Sequence, residues 1–258
     1  MDKKLEAFKR LLIIMDELRE QCPWDKKQTI NSLRKLTIEE TYELADAITD
    51  NNFDGIKEEL GDLIMHIVFY AKIGSEKQKF DIADVINNVC DKLVRRHPHI
   101  YGNVKVESAE DVKKNWENIK LNEKQNKTVL GGVPRSLPAI VKANRLQEKA
   151  RGVGFDWDEK SQVWEKVNEE LNEVIAETQK TNNTDKIEQE FGDLLFSVIN
   201  AARLYDIDPE NALERTNKKF ISRFNYLESK TIKNGIDLHK MPLDKMEEIW
   251  QEAKKHEK

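Results

Sequence analysis

Apolar residues recur every three or four positions along nearly the whole chain, which is the spacing of a helix that buries one face. The first segment places Phe8, Leu12 and Met15 on one stripe and ends before Pro23. No stretch alternates convincingly with a period of two, the spacing of a half-buried strand. The pattern therefore predicts an all-α fold.

Capping residues indicate where several of the later helices begin. Asp81 with Asp84 has the spacing of an N-terminal cap, and Asp208 is followed by Pro209 at the first helical position. The predicted helices cover about 29–49, 54–73, 82–96, 139–151, 161–180, 185–204, 209–229 and 243–256, with a short helix from Ser108 that contains Trp116. In the third helix of the chain we expect the following residues to face inward: Ile56, Leu60, Leu63, Ile64, Ile67, Val68 and Ala71.

One segment breaks the helical pattern near the middle of the chain. Residues 122–138 begin with a polar run and end in a stretch that holds two glycines and two prolines. Such residues mark connections between elements. We predict a linker at 122–138 between an N-terminal module, 1–121, and a C-terminal module, 139–258.

Composition and charge exclude several classes of protein. The formal net charge is −5, which argues against a dedicated binder of nucleic acid or anionic membranes. The longest apolar run is far shorter than the roughly 20 residues that span a bilayer. The two cysteines form no C-x-x-C pattern, so neither a disulfide scaffold nor a thiolate zinc site is expected. We expect a cytoplasmic protein.

The two halves repeat one order of acidic motifs, as a duplicated helical module would. An E-E-x-x-E run is followed in each half by E-x-x-D, and residues three or four apart share a helix face. Two antiparallel helices would bring these faces together. The carboxylates are Glu39, Glu40, Glu43, Glu59 and Asp62 in the first half, and Glu169, Glu170, Glu173, Glu190 and Asp193 in the second.

Such a cluster needs a counter-charge. Two like charges about 4 Å apart cost about 4 kcal/mol at an effective dielectric constant of 20. Mg²⁺, with Mn²⁺ as a possible substitute, prefers oxygen ligands and would relieve this repulsion. One acidic run alone usually marks a solvated face, but here the run occurs twice. Each E-x-x-D also encloses a mid-helix glycine, Gly61 or Gly192, which close backbone approach or room for a ligand would explain. His66 follows Asp62 by one turn, and we interpret it as a helix-face residue and not as a ligand.

Cations and tryptophans also recur at helical spacing in both halves. Lysine and arginine can neutralise phosphates, and tryptophan can stack on a base. The alternative is that the tryptophans are ordinary core residues and the cations ordinary surface. The candidate nucleotide-binding residues are Lys219, Arg223, Trp250 and Lys254, with a weaker first-half set of Lys92, Arg96, Trp116 and Lys120.

At these positions the sequence resembles the MazG family of nucleoside triphosphate pyrophosphohydrolases. The doubled acidic motif carries the resemblance, together with three further stretches: Cys22-Pro23-Trp24-Asp25, Gly132-Val133-Pro134-Arg135-Ser136-Leu137-Pro138 and Val153-Gly154-Phe155-Asp156-Trp157. The resemblance covers essentially the whole chain, in the two-module form.

The resemblance implies helical modules that pair, commonly as a homodimer, into four-helix-bundle-like cores around metal sites. The implied reaction converts an NTP or dNTP and water to the monophosphate and diphosphate, for nucleotide-pool housekeeping. In the second module Glu170, Glu173, Glu190 and Asp193 would hold Mg²⁺ and Glu169 would support them or orient water. In the first module the metal ligands would be Glu40, Glu43, Glu59 and Asp62. The nucleotide contacts would be Lys219, Arg223, Trp250 and Lys254.

The two modules differ in sequence, and other interpretations of the function stay open. The first has Tyr42 where the second has Asn172, and the cationic positions of the second match the family more closely, so we expect the second to be the main catalytic module. Related all-α dUTPases and phosphoribosyl-ATP pyrophosphohydrolases use similar acidic helices. The alternatives from other classes are a nucleotide-sensing or partner-binding module with little turnover, and a structural helical scaffold.

Overall fold

The chain forms two compact units in a computed structural model that describes residues 2–108, 111–112, 115–116, 119, 128–157, 159–181 and 183–256. The units are Met1–Lys120 and Leu121–Lys258, a division close to the start of the segment predicted as a linker. The bounds of that linker stay a prediction, because 122–127 lie outside the described residues. Within the described ranges all regular structure is helical and no strand occurs, which confirms the all-α fold.

The first unit is built from helices that begin at polar caps. The Thr29 and Ser32 side chains each accept a hydrogen bond from the other's backbone N–H, and Asp81 and Asp84 do the same. These reciprocal bonds satisfy N–H groups that a helix start leaves unpaired. The α-helices are α1 (Lys3–Gln21), α2 (Ile30–Thr49), α3 (Phe53–Glu76), α4 (Ile82–Arg96) and the short α5 (Pro98–Tyr101), and residues 111–112, 115–116 and 119 are also helical.

The core of the first unit lies where α1 and α2 pack against α3. Its buried side chains are Met15, Leu33, Val68, Phe69 and Ile73. The turn between α2 and α3 is short, with Asn51 at φ 53° and Asn52 capping α3. The two helices therefore form a hairpin.

The expectation that one face of α3 is entirely buried is wrong in part. Val68 and Ala71 are buried, but Leu60, Ile64 and Ile67 are exposed. Helical periodicity identifies an apolar stripe, but it does not say whether another part of the same chain covers it. The exposed part of α3 begins next to the E-x-x-D motif.

The second unit repeats the hairpin. Its helices are α6 (Ala139–Arg151), α7 (Gln162–Thr178), α8 (Thr184–Leu204), α9 (Pro209–Lys230) and α10 (Leu243–Lys255). Helices α7 and α8 pack together, and a buried cluster of Val163, Ala201 and Leu204 lies between them. Asp208 caps α9, and Pro209 occupies its first turn, as the sequence predicts.

Apolar side chains are exposed on the second hairpin as well. They are Leu171 and Ile175 on α7, with Phe191, Leu195 and Val198 on α8. Both hairpins thus present apolar surface beside their acidic motifs. Among the described residues, no helix combines the length and the hydropathy needed to cross a bilayer.

Candidate metal and nucleotide site

The α2–α3 hairpin brings together carboxylates from both acidic motifs of the first unit. Glu40 and Glu43 lie on α2 and Glu59 lies on α3, and one carboxylate oxygen from each falls within 4.8 Å of the others. Asp62 is outside this group of three, although its charge acts on both Glu40 and Glu59. Glu39, the first residue of the motif, is exposed.

Repulsion between the carboxylates of the first cluster raises the pKa of two of them. Partial burial raises the pKa of Glu40, and the charges of Asp62 and Glu43 raise it further. The pKa of Glu59 is also raised, by desolvation and by the charges of Glu43 and Glu40. Each shift means that, without a cation, losing the proton costs more free energy than it does for an isolated carboxyl group.

The α7–α8 hairpin gathers a different trio in the second unit. Carboxylate oxygens of Glu170, Glu190 and Asp193 lie within 4.8 Å of one another. Glu173 is outside this trio but close enough to respond to it, because desolvation and the charges of Glu170 and Glu190 raise its pKa. The two units therefore use the same motifs with different members nearest to the centre.

A lysine that the motif analysis missed lies against the second cluster. Lys166 Nζ is 2.7 Å from Glu170 Oε1 and 3.0 Å from Glu169 Oε1. Hydrogen bonds to Glu170 and Glu169 raise the pKa of Lys166 above its ordinary value. Its spacing from Glu170, one helical turn, was the available signal. The matching place in the first unit, one turn before Glu40, is occupied by Leu36.

Both clusters have the donor chemistry of a hard divalent cation site. Three carboxylates from two helices supply oxygen ligands at close range and leave coordination positions for water or substrate oxygens. His66 faces a different environment. It is buried, its Nδ1 lies 2.9 Å from Thr37 Oγ1, and burial lowers its pKa, in agreement with its interpretation as a helix-face residue.

Cations and aromatic rings meet where α9 packs against α10. The Arg223 guanidinium lies 5.6 Å from the centre of the Trp250 ring, and Phe220 lies 5.1 Å from the same ring. Lys219 and Lys254 are exposed. Beside them is a cavity of about 680 Å³, whose lining includes Lys218, Lys219, Ser222, Arg223, Tyr226 and His256. Tyr226 and His256 were not predicted from the sequence.

The first unit repeats the arginine–tryptophan contact. Arg96 lies 5.5 Å from the centre of the Trp116 ring, and His97 meets that ring edge-on at 4.9 Å. Lys92 is exposed on the same helix. Lys120 lies outside the described residues. His97 precedes the short helix α5 as its cap residue, and His99 lies within that helix.

An arginine side chain anchors the loop that precedes each acidic hairpin. Arg203 Nη1 donates to Asp156 Oδ2 at 3.1 Å, and Arg203 is 7% exposed. Burial would raise the pKa of Asp156, but the hydrogen bonds and charge of Arg203 outweigh it and hold the pKa below its ordinary value. In the first unit Arg19 donates to Glu76 and to the backbone oxygen of Asp25. The Arg203 pair gives the Asp156 carboxylate a structural role, whereas the Arg19 contact is with the backbone of Asp25 and not with its carboxylate.

The glycine of each E-x-x-D motif faces open space. A Cβ added at Gly61 or Gly192 would meet no heavy atom within 4 Å. Close approach of another backbone within the described chain therefore does not account for either glycine. Space for a ligand beside the carboxylates is the explanation that remains from the sequence analysis.

Comparison with known proteins gives consistent matches along the chain. A family model described as the MazG nucleotide pyrophosphohydrolase domain matches residues 28–101 and 159–227, which contain the two acidic clusters. The nucleoside triphosphate pyrophosphohydrolase/pyrophosphatase MazG of Thermotoga maritima is 43% identical, over 96% of this chain and 95% of that protein. The nucleoside triphosphate pyrophosphohydrolase of Escherichia coli K12 is 42% identical, over 98% and 99%. The uncharacterized protein YabN of Bacillus subtilis is 45% identical, over 97% of this chain and 52% of its own length.

The open space at Gly192 gives a prediction that separates stability from function. Gly192→Ala should raise the free energy of unfolding by up to about 1 kcal/mol, because alanine is the better helix former and its methyl group meets no neighbour. If the space serves a ligand, the same variant should lower nucleotide turnover. Chemical denaturation and a turnover assay check the two effects. A variant that is stabilised and fully active would show that the glycine keeps no room for a ligand.

Proposed function

The chain belongs to the MazG nucleotide pyrophosphohydrolase family, and we propose that it hydrolyses nucleoside and deoxynucleoside triphosphates at the α–β phosphoanhydride, releasing the monophosphate and diphosphate. One observation carries the proposal. The two segments that match the family each hold three carboxylates within 4.8 Å, on a hairpin of paired helices. Clearing or rebalancing the nucleotide pool is the role that this reaction fits.

We propose Mg²⁺ as the cofactor, with Mn²⁺ able to replace it. All-oxygen ligands favour these ions over zinc or iron. Glu170, Glu190 and Asp193 would hold the cation in the second unit, with Glu173 completing the set, and Glu40, Glu43, Glu59 and Asp62 would do so in the first. When bound, the cation neutralises polyphosphate charge and lowers the pKa of a bound water.

The chain's own groups bind the substrate and manage the proton. Attack by water on the α-phosphorus leaves a proton to be removed, and a carboxylate that is not fully engaged in ligation can accept it. Glu169 would have a supporting role; its carboxylate is exposed beside Glu170 and shares Lys166 with it. Lys219, Arg223 and Lys254 would neutralise the phosphates. Trp250, which is partly exposed beside Arg223 and Phe220, would offer the base a ring face.

We also propose that the protein acts as a homodimer. Leu171, Ile175, Phe191 and Leu195 are exposed on the α7–α8 hairpin, and burial of such side chains stabilises helix pairs. A second hairpin packed on this surface would complete a four-helix bundle. Free thiols at Cys22 and Cys90 suit a cytoplasmic setting.

Phosphorus NMR of the reaction products tests the proposed chemistry. The purified protein is incubated with a panel of NTPs and dNTPs, with Mg²⁺ in one arm and EDTA in the other. We expect monophosphate and diphosphate only with metal, and the panel ranks the substrates. Nucleoside diphosphate with phosphate would mean that the bond broken is a different one. Binding without turnover would favour the nucleotide-sensing alternative.

The closer match of the second unit predicts unequal effects of equivalent substitutions. Glu173→Ala should reduce kcat at least about a hundredfold, because it removes a carboxylate from the second site, whereas Glu43→Ala should retain most of the activity. Glu188→Ala removes an exposed carboxylate two residues from Glu190, on the opposite side of α8, and serves as the control. Steady-state kinetics on the full chain measure all three. Equal losses from Glu173→Ala and Glu43→Ala would contradict the assignment of the second unit as the main catalytic one.

A further inference from the structure

The second acidic cluster contains its own counter-charge. Lys166 Nζ is within hydrogen-bonding distance of both Glu170 and Glu169, and the Glu170 side chain is only 8% exposed. Ion pairs of this kind are strengthened by the exclusion of water around one partner. Glu170 is also a member of the trio whose oxygens lie within 4.8 Å. One carboxylate therefore serves both the ammonium group and the candidate metal site.

An ammonium group and a divalent cation compete for the same oxygen. The Lys166 charge lies one hydrogen bond from Glu170, so a cation that binds there must break the ion pair or be repelled by it. Hydrogen bonds to charged groups are worth enough to change a binding constant by about tenfold or more. Cation binding at the second cluster is therefore opposed by a contact within the same helix.

At the matching position the first cluster has no such competitor. Leu36, which holds the matching place, packs against the core of the first unit and brings no charge to Glu40. A hydrogen bond with Glu59 relieves part of the repulsion at Glu40, and the remaining repulsion among Glu40, Glu43 and Glu59 is left for an external cation. The two hairpins thus hold similar carboxylate ligands. In the second an ammonium group already lies at hydrogen-bonding distance, whereas the matching position in the first is apolar.

We propose that the two units load metal differently: the first cluster binds a divalent cation directly, whereas Lys166 acts as an internal counterion that the cation must displace from the second. At a given concentration of free cation the first cluster fills first. The second gains its cation when the nucleotide brings it as a metal complex. This inference rests on the proposed function, since it takes both clusters to be cation sites.

Titration of the full chain with Mn²⁺ alone, without nucleotide, tests the proposal. Free Mn²⁺ is followed by electron paramagnetic resonance, so no turnover is needed. Glu43→Gln with Glu59→Gln disables the first cluster, and Glu190→Gln with Asp193→Asn disables the second, which leaves one site to measure in each protein. We expect the second cluster to bind Mn²⁺ about tenfold more weakly than the first.

Replacement of the lysine isolates its effect. In the protein with only the second cluster, Lys166→Met should tighten Mn²⁺ binding about tenfold, and Lys166→Arg, which keeps the charge, should not. Lys186→Met removes an exposed lysine from α8 and controls for the change in net charge. Circular dichroism of each variant confirms that the helices are intact. Leu36→Lys in the protein with only the first cluster should weaken its binding to the same extent.

The possible failures are distinguishable. If Lys166→Met leaves Mn²⁺ affinity unchanged or weakens it while both clusters still bind the ion, the counterion proposal is wrong and the proposed function stands. If neither cluster binds Mn²⁺ saturably in any variant, the metal sites themselves are wrong, and the proposal falls with them.

Discussion

Repulsion between carboxylates held close together is the constraint around which both units are organised. In each hairpin, two packed helices fix three acidic side chains with oxygens within 4.8 Å of one another. Solvated side chains would move apart, because like charges at this distance are unfavourable. The buried cores beneath α2–α3 and α7–α8 hold the helix backbones in place. Packing thus maintains a charge arrangement that a cation would make more favourable, and on the proposed function a divalent ion bound with its nucleotide would supply that cation.

The two units meet this constraint in different ways. In the first, burial and neighbouring carboxylates raise the pKa values of Glu40 and Glu59, so ionisation costs more than it does for isolated carboxyl groups. In the second, Lys166 provides a positive charge at hydrogen-bonding distance. The two copies of the module therefore share a fold but differ in the charges that surround their carboxylates. The difference offers a physical basis for unequal roles of the units that does not require the loss of any ligand.

The sequence predicts the helices and the shared faces well, since both follow from the helical period. The spacing of Glu40, Glu43 and Glu59 was enough to predict that they converge across a hairpin. The sequence does not show which carboxylates come closest to one another. Glu173 and Asp62 have the spacing of the motifs, but their side chains lie outside the two trios. The exposure of Leu60 and Ile64 was missed for a related reason, as periodicity does not identify what covers a stripe. Lys166 was not predicted, because it lies one helical turn before Glu170 and is not part of the acidic motif.

The central claim, that the clusters are cation sites maintained against repulsion, is tested most directly by calorimetric unfolding of Glu59→Gln and the unsubstituted protein. Because the folded state raises the pKa of Glu59 above its ordinary value of 4.5, ionisation of this group lowers stability as pH rises through the raised pKa. At about pH 8 without metal, the variant should therefore melt at a higher temperature than the unsubstituted protein, and Mg²⁺ should stabilise it less. A variant that melts lower at this pH and responds fully to Mg²⁺ would contradict the claim.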